Sequence, residues 1–162
     1  MRRAFSVASI SLLLILLQTT LVNAVTLGTA VPDVLVIWIV YLAIQFGQIA
    51  ATVLGFGIGL CMDLLSGQDG MLGLAALSKS LAGFLAGYFY HENKTEQTLS
   101  SGRFVAAVGF AALLHNAIYF LIFLRGSDVG WWQAIAWHGV PSTLYTMVLS
   151  VVPMSLFRRK YQ

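Results

Sequence analysis

Apolar residues fill this chain in long blocks separated by short polar stretches. About 20 apolar residues cross a bilayer as a helix. Six segments qualify, roughly 4–22, 33–46, 49–66, 71–90, 103–124 and 133–157. Backbone N–H and C=O groups in lipid must be satisfied within the segment, so helices are forced. The second segment is short. Gln45, Phe46, Gly47 and Gln48 mark its junction with the third, which predicts a tight helical hairpin. The pattern gives an all-α integral membrane protein, with residues 1–162 as a single transmembrane domain.

Composition supports the bilayer as solvent. The chain is 59% hydrophobic and 9% charged, whereas a soluble domain carries about 25% charged residues. The net charge of +3 is too small and dispersed to suggest nucleic acid. Cys61 is the only cysteine, so no intramolecular disulfide can form. It reads as a structural thiol. No nucleophile stands beside a plausible base, no glycine loop cradles phosphate, and the three histidines share no metal-ligand spacing. Neither catalysis, a cofactor nor a metal is expected.

The position of the charges orients the spans. Arg2, Arg3, Lys94, Arg103, Arg158, Arg159 and Lys160 fall on one side of a six-span arrangement, against Arg125 on the other. The positive-inside rule makes the first side cytoplasmic and places both termini there. Trp38, Trp131, Trp132 and Trp137 map to the outer boundary, and Tyr88, Tyr90 and Tyr161 to the inner one, where amphipathic rings are favoured. Pro32 and Asp33 mark the outer start of the second span, where a missing N–H costs nothing and a carboxylate meets the positive helix end. Pro141 divides the last segment into an interfacial piece and a spanning piece, and Pro153 offers a second kink. An alternative reading of Arg2-Arg3, the apolar run and Val22-Asn23-Ala24 is a cleaved signal peptide. That would leave five spans and put the amino end outside.

Polar and small residues inside the spans carry the functional signal. Ala51, Gly55, Gly59 and Asp63 share one face of the third span, and Ala75, Lys79, Gly83 and Gly87 one face of the fourth. Small residues at every fourth position let helix backbones approach closely. A lone charge at mid-bilayer costs from about 3 to over 10 kcal/mol, so Asp63 and Lys79 should turn toward protein. Counting from the predicted ends, Asp63 lies roughly 22 Å from the cytoplasmic edge and Lys79 roughly 12 Å below the outer one. The pair is then geometrically allowed. The competing reading has Asp63 capping the Ser66–Gly70 turn while Lys79 snorkels outward. His115 and Asn116, mid-way along the fifth span, suit interhelical hydrogen bonding, and His138 an interfacial position.

The stretch from the second to the fourth span resembles the bacterial rod shape-determining protein MreD family. The shared features are Pro32-Asp33, then Gly59-Leu60-Cys61-Met62-Asp63-Leu64-Leu65-Ser66-Gly67, then Leu72-Gly73-Leu74-Ala75-Ala76-Leu77. Lys79 departs from the pattern, which has an apolar residue there in many members. The resemblance implies a non-enzymatic component of the elongation machinery in the cytoplasmic membrane. Implied partners are an MreC-like bitopic protein and, indirectly, an MreB-like filament, a RodA-like glycosyltransferase and a penicillin-binding transpeptidase. It also implies a fold similar to the substrate-binding S-components of vitamin transporters. The expected packing residues are Gly55, Gly59, Asp63, Ser66, Gly67, Gly83 and Gly87, with the glycine stripes offering grooves to a partner's span. The alternative is a transporter subunit in which Asp63, Lys79, His115 and Asn116 line an outward-facing cavity for an anionic or zwitterionic solute.

Overall fold

The computed structural model describes residues 2–20, 26–66, 72–125, 128 and 130–161. It is helical throughout, with an isolated bridge between Leu27 and Ala30 and no strand among the described residues. In chain order the helices are α1 (Arg2–Thr20), α2 (Val34–Phe46), α3 (Gln48–Ser66), α4 (Leu74–Ala86), α5 (Thr95–Leu99), α6 (Gly102–Phe123), α7 (Trp131–Ala134) and α8 (Val140–Tyr161). A 3₁₀ turn, Gly87–Phe89, extends α4, and a π-helical turn, Ile135–Gly139, joins α7 to α8. Among the described residues, three helical stretches are long and apolar enough to cross a membrane: Gln48–Leu65, Gly102–Phe123 and Trp131–Arg159. Ala4–Thr20, Val34–Phe46 and Leu74–Phe89 are shorter apolar helices. Each predicted span thus has its helix. The Val22-Asn23-Ala24 stretch lies outside the described residues.

Helix α2 is the axis of the bundle. Leu35, Val36, Ile37, Ile39, Val40, Leu42, Ala43 and Ile44 are buried on every side of it. A helix that is apolar all round belongs in an interior. Ile15 of α1 and Ile58 of α3 join Leu35, Ile39 and Leu42 in one cluster. The opposite side of α2 meets Ala82, Ala86, Phe104, Val108 and Ala111 of α4 and α6. At 1.5 Å per residue α2 is roughly 20 Å long, less than a hydrocarbon core of about 30 Å. Enclosure by longer helices makes that shortness tolerable. The outward surfaces differ: Leu12, Leu13, Val53, Phe56, Leu64, Val148 and Val152 are exposed apolar side chains.

The hairpin between α2 and α3 is tight, as predicted: Gln45 and Phe46 lie in α2 and Gln48 opens α3. Gly47 alone makes the turn, at φ 86° and ψ 176°, a combination that is essentially glycine-only.

The pairing of α3 with α4 is the most extensive helix contact in the fold. A Cβ added to Gly55 would stand 2.6 Å from the Lys79 carbonyl oxygen, and one on Gly83 2.6 Å from that of Ala51. On Gly59 it would strike the backbone of Ala75 and Ala76, and on Gly87 the Gln48 side chain. In lipid no hydrophobic force draws helices together, so close packing of this kind supplies the association. The predicted stripes therefore face each other. The groove expected for a partner's span is filled by the chain's own neighbouring helix. Gly57, off the stripe, has nothing within 4 Å.

Trp38 also departs from expectation. It is half-buried instead of lying in an interfacial belt; its ring stacks on Tyr41 at 5.1 Å and its N–H donates to Ser11 Oγ at 2.8 Å. Trp131, Trp132 and Trp137 are 53%, 60% and 71% exposed.

Candidate functional site

The polar side chains gather at the end of the bundle where α2 and α4 begin and α6 ends. Helix N-termini leave backbone amides unsatisfied and carry a partial positive charge. Each of the two helices that start here takes an aspartate. Asp33 is the N-cap of α2, its Oδ1 accepting from the Val36 N–H at 3.0 Å. Asp63, at the far end of α3, reaches across to α4 and accepts from the N–H groups of Gly73 (3.0 Å), Ala75 (3.1 Å) and Ala76 (3.1 Å).

That second arrangement settles where Lys79 goes. Its Nζ lies 2.5 Å from Asp33 Oδ2, and the lysine is 3% exposed. The Asp63–Lys79 pairing expected from depth is not formed, because Asp63 is already held by three backbone donors. Nor does Lys79 snorkel. Asp63 does act as a cap, but of α4; Ser66 ends α3, its side chain and Gly67 being outside the described residues. His115 Nε2 stands 3.3 Å from the same Asp33 oxygen, so α2, α4 and α6 converge on one carboxylate. Asn116, beside it, donates to Gly139 O (3.2 Å) and Thr143 Oγ1 (3.1 Å), tying α6 to α8. Interhelical hydrogen bonding is thus what Asn116 does, whereas His115 meets Asp33 only as a 3.3 Å contact and its buried Nδ1 has no hydrogen-bond partner among the described residues.

The segment leading into α2 is laced from both flanks. Gln18 of α1 donates to the Pro32 carbonyl at 3.0 Å and accepts from the Val34 N–H at 2.9 Å. From α8, Ser142 Oγ accepts the Val31 N–H and Thr146 Oγ1 the Asp33 N–H, both at 3.0 Å. Pro141 has no N–H to offer the carbonyl four residues back. That carbonyl, of Trp137, accepts from Thr29 Oγ1 at 2.9 Å instead. The sequence reading missed Gln18, Ser142 and Thr146. Their polar atoms in apolar spans were the available signal.

Between these groups lies a cavity of about 300 Å³, walled by Asp33, Asp63, Lys79, His115 and Asn116, with Tyr119, Phe120 and Phe123 among its apolar lining. His138 is exposed at its rim, its ring 6.1 Å from that of Phe120. Cys61 is exposed on α3, away from this lining. All four intramembrane polar residues singled out in the sequence meet here.

Comparison with known families decides the lineage. The family described as rod shape-determining protein MreD matches residues 1–161, essentially the whole chain. The chain belongs to the MreD family. No curated protein matches it, and no solved structure does. As an MreD-family member it has a role in rod shape determination, and its apolar helices agree with a membrane protein. The Pro32-Asp33 opening and the Gly59–Gly67 stretch noted in the sequence acquire structural meaning in this member: one carries the ion-paired cap of α2, the other the glycine contact and the cap of α4.

Proposed function

We propose that this MreD-family chain is a non-enzymatic component of the cell-elongation complex, set in the bacterial cytoplasmic membrane with six spans and both termini inside. In this reading it binds an MreC-like bitopic protein and, through it, supports lateral peptidoglycan synthesis alongside an MreB-like filament, a RodA-like glycosyltransferase and a penicillin-binding transpeptidase. The family match over residues 1–161 carries the proposal. Packing adds one constraint. Gly55, Gly59, Gly83 and Gly87 are committed to the α3–α4 contact, so a partner helix meets the outward apolar faces of the bundle.

Depleting the protein in a rod-shaped host is expected to turn rods into spheres, and re-expression to restore them. Cells that keep their width and length after depletion would refute the role. Co-purification with a coiled-coil bitopic partner tests the binding step separately.

A second reading has one observation in its favour. Asp63, Lys79, His115 and Asn116 share a cavity, as a substrate-binding transporter subunit with an S-component-like fold would require. Uptake of a vitamin-type solute that depends on this chain would favour that reading over the scaffold.

A further inference from the structure

Lys79 has more hydrogen-bonding capacity than its surroundings use. An ammonium group carries three N–H donors. Among the described residues Asp33 is the one acceptor within reach of Nζ, although the side chain is 3% exposed. Burying a cation is costly unless its remaining donors are satisfied. The other carboxylate that lines the cavity, Asp63, is turned to the amides at the start of α4. What adjoins Lys79 is the cavity, whose size of about 300 Å³ falls at the lower end of small-molecule sites. Its walls are of two kinds: Lys79, His115 and Asn116 supply polar atoms beside the carboxylates of Asp33 and Asp63, whose oxygens are already engaged by Lys79 and by backbone amides, and Tyr119, Phe120 and Phe123 supply rings. Tyr119 and Phe123 stack at 5.5 Å, an aromatic pair on the apolar side of the cavity.

We propose that this cavity is a binding site for a small molecule that carries a carboxylate or phosphate on an apolar or aromatic body. The anionic group would take the free donors of Lys79, and the body would lie against the Tyr119–Phe123 wall. This deepens the second reading of the same cavity by naming the chemistry of its ligand, and stands whether or not the chain recruits partners or transports a solute. The anionic group could belong to a dissolved metabolite or to a lipid headgroup, since both present the same oxygens to the same ammonium.

The full-length protein in a phosphate-free maltoside detergent would be titrated against two probes, phenyl phosphate and dihexanoyl phosphatidylglycerol, with ³¹P line broadening and shift as the readout. Saturable binding of phenyl phosphate alone supports a dissolved ligand; binding of the short-chain lipid alone supports a headgroup. Binding of both supports the shared chemistry. Lys79→Met should weaken binding at least tenfold, while Gly57→Ala, which faces open space, should not change it. Should Lys79→Met fail to fold, Phe123→Ala shortens the apolar wall with the ion pair intact and should weaken binding severalfold. No saturable binding of either probe to the wild-type protein, or equal binding by Lys79→Met and wild type, would overturn the proposal.

Discussion

Asp33 does three jobs with one side chain: it caps α2, neutralises Lys79 and faces His115. Removing one partner of a buried ion pair costs about 3–5 kcal/mol, because the other charge is left uncompensated. Asparagine caps a helix as well as aspartate does, so Asp33→Asn isolates the ion pair. It should lower the thermal stability of the purified protein by about 3 kcal/mol. Adding Lys79→Met should recover most of the loss. Losses that simply add in the double variant would show that the pair is not coupled. Asp63→Ala removes the acceptor of three α4 amides and should cost about 1–2 kcal/mol in the same melting experiment. That Asp63 and Lys79 point into protein was legible from the sequence, since lipid forbids the alternative. Which anion Lys79 takes was not. The choice rests on the Gly73, Ala75 and Ala76 amides standing next to Asp63, and backbone amides leave no trace in a residue pattern.

Among the helices, the apolar blocks predicted where the six long ones lie but not the short α5, and the four-residue spacing of glycines predicted which faces pack. The spacing identifies a face; it does not say what the face meets. Here α3 and α4 meet each other, as consecutive antiparallel helices with a short connection readily do. Gly59→Leu should therefore push α3 from α4 and sharply reduce the yield of folded, monodisperse protein, whereas Gly57→Leu should be near neutral. Size-exclusion profiles of the two variants in detergent make the comparison. Equal yields would mean that the α3–α4 contact tolerates a side chain at Gly59. Gly47→Ala tests the hairpin. Forcing a side chain into its backbone conformation should cost about 1–3 kcal/mol, read as a lower melting temperature. Helix α2 shows a further limit of pattern reading. Its 13 residues look short for a span until the enclosing helices are seen.

For the molecule as a whole, the proposed topology puts the Arg125 end outside, and the polar cluster with its cavity lies at that end. A single cysteine at Asn93 should react with a membrane-impermeant maleimide only after lysis, and one at Asp128 in intact spheroplasts, both in a Cys61→Ala background. The opposite labelling would invert the topology. The lacing of the segment before α2 has a consequence for how the chain is made. Val31 and Asp33 lend their amides to Ser142 and Thr146, more than a hundred residues later. Membrane insertion delivers the early helices first, so this junction waits with its donors unmet until the last helix is threaded beside it. Completion of the bundle is a late event in biosynthesis, and a ribosome that stops before codon 142 leaves a product with all its middle helices and no closed end.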